Sequence, residues 1–302
     1  MRVMSHPTHT GRIQHPSKGR MGTLYIVGTP IGNLEDITLR ALRTLKEVDL
    51  IACEDTRHTQ QLLNHYSIST RTISYHQHNE MTRAPELIVL MEGGNQVALV
   101  SDAGMPGISD PGYRLVQLAI RHGVKVVPVP GASAFLAALS AAGLPVDSFR
   151  FVGFLPSKKQ ARRGKLRTME RAEDSLVFYE SPHRILAMLE DILEILGDRP
   201  TVIAREVTKF HEEFLRGIVS EVLVQLLKNP VKGEITVIVG PSTDEPRKSL
   251  SDQSIRPEIE RAMSHEGMDE RAALKIVARR RGISKSEAYR QWQAEKDRNP
   301  ES

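Results

Sequence analysis

Short apolar runs alternate with longer stretches of helical period from residue 23 onward. The runs at 23–28, 48–53, 71–75, 96–101 and 125–129 have the length of strands. After the first of them, Leu39, Leu42, Leu45 and Val48 recur at helical spacing, which predicts a helix over 37–47 with Asp36 as its N-cap. Segments 60–66, 86–92 and 113–122 predict helices in the remaining gaps. Parallel strands need crossovers of this kind, so this half of the chain predicts a βα-repeating, mostly parallel sheet.

The alternation resumes with strands expected at 149–153, 175–180, 202–207, 213–219 and 234–240, and helices at 160–171, 182–196 and 221–228. Only a short turn separates 202–207 from 213–219, which predicts an antiparallel pair and therefore a mixed sheet. Beyond Gly240 the pattern changes. The polar, proline-flanked stretch 241–246 reads as a linker, and 258–302 as charged helix. There Ala272, Leu274, Ile276 and Val277 predict an apolar face, Gly282 a helix end and Ser284 a cap for the next helix, which carries Ala288, Tyr289 and Trp292. The expected order is a leader over 1–21, an α/β domain over 22–147, a second over 148–240, a linker over 241–256 and a helix-turn-helix-like module over 257–302.

Composition narrows this picture only slightly. With 302 residues, 40% of them hydrophobic, the chain is long enough for two ordinary cores. A net charge of +4 is too small to establish a nucleic-acid partner by itself, so the placement of cations matters more than their number. Cys53 is the only cysteine, which excludes an intrachain disulfide and a multi-thiolate metal site, and its apolar surroundings read as strand interior. No histidine pair has metal-ligand spacing with acidic companions. No apolar run reaches the roughly 20 residues that span a bilayer, and the first twenty residues lack the apolar core of a secretory signal, so the cytosol is expected.

Glycine and proline carry the chemical signal. The first, fourth and fifth strands run into Gly28-Thr29-Pro30-Ile31-Gly32-Asn33, into the loop 101–112, and into Pro130-Gly131-Ala132-Ser133. In open α/β sheets ligands bind outside the carboxyl ends of strands, where glycine permits close backbone approach and proline fixes loop shape. Three such loops on one rim predict a small-molecule pocket rather than ordinary tight turns, the more so because 101–112 is long. Neither the dinucleotide fingerprint nor a Walker lysine is present.

These loops, with Cys53-Glu54-Asp55-Thr56-Arg57, Ile108-Ser109-Asp110-Pro111-Gly112-Tyr113, Phe178-Tyr179-Glu180-Ser181-Pro182-His183-Arg184 and Lys232-Gly233-Glu234, resemble the tetrapyrrole-methylase superfamily. More narrowly they are similar to its branch that acts on small-subunit ribosomal RNA. The similarity covers about 22–240, and the terminal module resembles that branch's helical domain. The resemblance implies two α/β domains with S-adenosylmethionine in the cleft between them, a homodimer, and 2′-O-methylation of a cytidine in the decoding region of 16S rRNA, within the 30S subunit. On that resemblance Pro30, Ile31, Asp102, Gly104, Met105, Ser109, Pro130, Ser133, Tyr179 and Ala204 are expected around the cofactor, with no metal. Met105 stands where Thr is expected, and Ala132 where Pro or Ser is common.

A ribose hydroxyl is a weak nucleophile and benefits from a general base. Asp55 and Glu206 are the candidates, although Asp55 could equally be the N-cap of the following helix. Six cations and no acid fall within 158–167, which reads as a phosphate-binding segment through Lys158, Lys159, Arg162 and Arg163, against the alternative of a solvated helix face. Arg57, Arg184, Arg279, Arg280 and Lys285 complete the expected RNA contacts; for Arg57 and Arg184 a salt bridge is the competing role. His183 reads as a packing or hydrogen-bonding residue, against the alternative of the base. The competing functions are methylation of a tetrapyrrole or a protein side chain on the same fold, and a non-catalytic rRNA-binding assembly factor.

Overall fold

The first five strands send alternate side chains into two separate helical layers. In the computed structural model, which describes residues 21–242, 255–265, 268–281 and 284–298, the elements of this half are β1 (Thr23–Val27), α1 (Leu39–Glu47), β2 (Leu50–Cys53), α2 (Thr56–His65), β3 (Thr72–Ser74), α3 (Glu80–Glu92), β4 (Val97–Val100), α4 (Tyr113–Arg121) and β5 (Lys125–Val129). The five strands form one sheet in the order β3-β2-β4-β1-β5, parallel throughout. Leu24, Leu50, Ala52, Val97 and Leu99 pack with Leu87, Met91 and Leu115 of α3 and α4. Val27, Ile51, Cys53, Ala98 and Val100 pack on the opposite face with Ala41, Leu45 and Leu63 of α1 and α2. Burial on both faces explains why β2 and β4 are wholly apolar. The Cys53 thiol is buried and donates to the Ile73 carbonyl at 3.5 Å.

The second sheet is preceded by α5 (Ala134–Ala142) and built from β6 (Phe149–Phe154), α6 (Lys159–Arg167), β7 (Ser175–Glu180), α7 (Ile185–Leu196), β8 (Pro200–Arg205), β9 (Glu213–Ile218), α8 (Val219–Lys228) and β10 (Ile235–Val239). Its order is β6-β7-β10-β8-β9; β6 and β7 are parallel, the other neighbours antiparallel, including the expected β8–β9 pair. Helices α6, α7 and α8 cover one face through Leu166, Met188, Leu189, Ile192, Val222 and Leu226. The other face packs Val177, Val202, Ala204 and Ile238 against Ala138, Leu139 and Ala142 of α5 and against Ile31 of the first half. This shared layer joins the two sheets.

Helix α5 is absent from the sequence expectation because nearly all its residues are apolar, so it shows no amphipathic stripe. Gly143 ends it in the left-handed region at φ 75°. Other boundaries shift for local reasons. Thr38, not Asp36, caps α1, its Oγ1 accepting the Ala41 N–H at 3.1 Å, while Leu34–Asp36 forms a separate 3-10 turn. Helix α2 starts four residues before 60 because Asp55 caps it, and α3 starts at Glu80 despite Pro85. Strand β8 stops at Arg205 because Glu206 takes φ 51°.

The body forms one compact unit ending at Pro241, and a second begins at Ser242. The expected leader, apart from Met21, and the expected linker from 243 to 254 lie outside the described residues. The second unit contains α9 (Arg256–His265), α10 (Glu270–Arg281) and α11 (Lys285–Arg298). It has its own core of Ile255, Ile259, Ala262, Ala273, Leu274, Val277, Ala278, Ala288 and Trp292. The buried face of α10 thus runs through 273, 274, 277 and 278 rather than through Ala272 and Ile276. Trp292 is an anchor at 4% exposure, whereas Tyr289 is 52% exposed and is not. Ser284 caps α11 as expected, accepting the Glu287 N–H at 3.1 Å. Among the described residues no helix is long and apolar enough to cross a membrane.

Candidate functional site

Strands β4, β1 and β5 are neighbours, so their three carboxyl-terminal loops meet. Thr29 and Gly104 exchange backbone hydrogen bonds at 2.9 and 3.1 Å, and the Gly28 N–H donates to the Val129 carbonyl at 3.1 Å. The Thr29 hydroxyl adds a bond to the Ser101 carbonyl at 3.1 Å. Contact between the first and third loops is backbone on backbone: a Cβ at Gly28 would lie 2.8 Å from the Gly131 Cα and 2.7 Å from the Met105 Sδ. The middle loop is held in unusual backbone conformations, with Gly104 at φ 81° and the non-glycine Ser109 at φ 63°.

Together with the ends of β7 and β10 these loops wall a cavity of about 350 Å³ between the two sheets. Ile31, Met105, Ile108, Val207 and Ile235 give it apolar walls, and Ser133, Tyr179, Glu180 and Asp110 its polar groups. Of the expected cofactor residues, Ile31, Gly104, Met105, Ser109, Ser133 and Tyr179 line it. Pro30 and Asp102 line an adjoining cleft instead, with His58 and Lys209. Pro130 is exposed and borders neither, and Ala204 is fully buried in the layer under α5 rather than at the cavity. Asp102 holds two loops together, its Oδ1 accepting the Asp55 N–H at 3.1 Å.

Neither expected base is placed for that role. Asp55 caps α2, accepting the Arg57 N–H at 2.8 Å and pairing with the Arg57 guanidinium at 3.0 Å; these contacts hold its carboxyl down at about 2. Glu206 lies past the end of β8, where its Oε1 accepts the Glu234 N–H at 2.8 Å and the Lys209 ammonium at 2.9 Å, and both lower its pKa. It lines neither cavity.

Three other carboxyl groups, not named as candidate bases from sequence, border the cavity; one of them, Glu234, is exposed and pairs with Lys209 at 3.2 Å. Glu180 is buried at the end of β7, with Oε1 accepting the Ser181 N–H at 2.8 Å. Its Oε2 lies 3.1 Å from Arg184 Nη2 yet makes no aligned hydrogen bond. Asp110 is half-buried; burial first, and the Glu54 carboxylate second, push its pKa up to about 6. Asp110 also lines a neighbouring cleft of about 390 Å³ with Glu54, Glu80, Arg114 and Gln117. The sequence offered Asp110 only as one acid in a Gly/Pro loop. Its distinction is environmental.

The expected RNA contacts divide. Lys158, Lys159, Lys165 and Arg167 are exposed around α6, but Arg162 turns inward, with its side chain 6% exposed and its Nε donating to Asp191 Oδ2 at 2.7 Å. Arg163 donates to Asp191 Oδ1 at 3.0 Å and also pairs with Glu194. The acids missing from 158–167 are supplied by α7, which no local reading of charge could reveal. Arg184 is likewise a strut, pairing with Glu180 and donating to the Leu155 carbonyl at 2.6 Å. Arg57 is 88% exposed on its side chain, beside Asp55. Lys285 is exposed at the start of α11, and Arg279 and Arg280 lie in α10 with side chains outside the described residues. No cluster of three or more metal-ligating side chains occurs among the described residues.

Comparison with known proteins fits this geometry. The family described as Tetrapyrrole (Corrin/Porphyrin) Methylases matches residues 23–223. A protein of Halalkalibacterium halodurans named Ribosomal RNA small subunit methyltransferase I is 49% identical over 271 residues, 89% of this chain and 93% of that one. One of the same name from Thermotoga maritima is 53% identical over 219 residues, 72% of this chain and 98% of that one. Among solved structures, a uroporphyrin-III C-methyl transferase of Thermus thermophilus complexed with S-adenyl homocysteine aligns with a TM-score of 0.51 at 24% identity, over 72% of this chain and 97% of that one. That likeness is one of fold.

Proposed function

Because this chain belongs to the tetrapyrrole methylases, we propose that it transfers a methyl group from S-adenosylmethionine to small-subunit ribosomal RNA, at the 2′-oxygen of a cytidine in the decoding region. The observation that carries the reading is the cavity of about 350 Å³ walled by three Gly/Pro loops, in a chain about half identical to relatives named for that RNA. Its volume suits a ligand of adenosine size, and its mix of apolar walls and few polar groups is that of a small-molecule site. The buried Glu180 carboxylate, with one oxygen lacking an aligned hydrogen bond, offers an acceptor to a cationic ligand. Ile31, Gly104, Met105, Ser109, Ser133 and Tyr179 would hold the donor. When bound, it supplies an electrophilic methyl group on a sulfonium.

The chain's own contribution is placement and exclusion of water. Loops joined backbone to backbone fix the cavity wall, and Tyr179 is fixed in turn by the Phe135 N–H donating to its phenolic oxygen at 3.2 Å. The exposed cations of α6 and the terminal unit are the surfaces offered to RNA phosphate. A homodimer, the assembled 30S subunit as substrate and a cytoplasmic setting complete the reading. The test is methyl transfer from labelled S-adenosylmethionine to purified 30S subunits and to free rRNA, with the modified nucleotide mapped. Label in a 2′-O-methylated cytidine is expected. Label confined to a base, a tetrapyrrole or a protein overturns it.

A further inference from the structure

The acids expected from the sequence to take the acceptor's proton are engaged by other groups. Asp55 is paired with Arg57, and Glu206 and Glu234 with Lys209, while Asp102 is engaged by the Asp55 amide. Glu180 borders the cavity but is paired with Arg184 at 3.1 Å. Asp110 differs in position. It borders both the cavity between the sheets and the cleft beside it, and among the described residues no cation lies within ion-pair distance of its carboxylate. The cleft is walled by Glu54 after β2, Glu80 of α3, and Arg114 and Gln117 of α4. Three carboxyl groups stand there against one cation, Arg114, which lies 3.7 Å from Glu80; the remaining acidic excess disfavours a phosphodiester and favours the hydroxyl and amino donors of a nucleoside. A nucleoside entering from the cleft would therefore meet a methyl donor held in the cavity at the wall that Asp110 shares.

We propose that Asp110 is the general base that takes the proton from the acceptor ribose hydroxyl, with the acceptor nucleoside seated in the adjoining acidic cleft. This rests on the reading of the reaction given above. In the balanced step the hydroxyl proton passes to an Asp110 carboxylate oxygen as the ribose oxygen bonds to the methyl carbon. The carbon–sulfur bond breaks with both electrons kept by sulfur, leaving a neutral thioether, and Asp110 then releases the proton to water. The groups that set its titration are Glu54 and Asp102, which raise it, the Ser101 hydroxyl, which lowers it, and Tyr179 from β7, whose own pKa is raised partly by Asp110. Burial is the largest influence, and the sum places Asp110 at about 6. A base there is ionised at neutral pH yet far more basic than an ordinary carboxylate.

The test uses the full chain with S-adenosylmethionine and 30S subunits. Single-turnover methylation should rise with pH through about 6 and then level. Asp110→Asn should slow it on the order of 100- to 10,000-fold and abolish that limb, with S-adenosylhomocysteine affinity unchanged in calorimetry. Glu54→Gln should move the limb to lower pH whatever it does to the plateau rate, because it removes a carboxylate that raises Asp110. Carbon-13 NMR of the wild-type carboxyl groups should show one titrating near 6 that vanishes in Asp110→Asn. An Asp110→Asn enzyme that keeps its rate and limb, or a limb unmoved by Glu54→Gln, overturns the role of Asp110 alone. A wild-type chain that methylates no ribose hydroxyl overturns the reading of the reaction instead.

Discussion

Among single residues, what distinguishes the acids around the site is their neighbours. Asp55 and Asp110 stand in similar polar loops, yet an arginine holds one at about 2 while burial and Glu54 lift the other to about 6. The second value has a consequence for stability. A carboxyl whose folded pKa lies above its ordinary 3.8 favours the folded state below that value, and the advantage is lost as pH rises through about 6. Asp110 therefore costs stability at neutral pH. A shift of about two pKa units would amount to about 3 kcal/mol, and screening of a half-exposed group reduces this to on the order of 1 kcal/mol. Asp110→Asn should raise the unfolding free energy by that amount at pH 7.5 and leave it unchanged near pH 4, as urea titrations at the two pH values would reveal. Equal effects at both would mean that Asp110 is not perturbed in the folded state.

Among the elements, α6 separates two roles that its sequence merges. Its inward cations, Arg162 and Arg163, are paired with Asp191 and Glu194 of α7, and Leu166 continues the buried side. Its outward cations are Lys159, Lys165 and Arg167, with Lys158 at the cap. Arg162→Ala leaves the buried Asp191 short of a partner and should destabilise the fold by about 3 kcal/mol. Replacing Lys158, Lys159, Lys165 and Arg167 by Ala should leave stability within about 0.5 kcal/mol. That second variant should flatten the salt dependence of RNA binding by roughly one logarithmic unit for each phosphate no longer neutralised. Denaturant melts and binding isotherms at several salt concentrations check both; an unchanged slope would make this face merely solvated.

Taken whole, the chain is two compact units with separate cores. The only tryptophan, Trp292, is buried in the core of the second. Tryptophan fluorescence therefore reports the terminal unit alone, while circular dichroism is dominated by the larger body. The two probes should give non-coincident unfolding transitions, and a chain ending at Pro241 should keep the circular dichroism transition of the body. Coincident transitions would show that the units fold as one. In the truncated chain S-adenosylhomocysteine should bind with unchanged affinity, because every residue lining the cavity belongs to the body.

Neighbouring residues alone dictate the alternation of strands and helices, the mixed character of the second sheet, and the three Gly/Pro loops that meet on one rim. Strand and helix periods, and the backbone demands of glycine and proline, are local properties and can be read locally. Legibility fails where the pattern is uniform or the deciding partner is distant. Helix α5 is apolar even on its exposed side, where Leu136 is 49% exposed, so its sequence carries no amphipathic stripe to mark it as a helix. Arg162 and Arg163 look like RNA ligands because the acids that pair with them, Asp191 and Glu194, lie 28 to 31 residues further along. Asp110 and Asp55 are equivalent as letters, and folding sets one against Glu54 in a half-buried wall and the other beside Arg57. Charge and proton affinity depend on what surrounds a group in space, through desolvation and Coulomb interaction over a few ångströms, and chain position does not encode those distances.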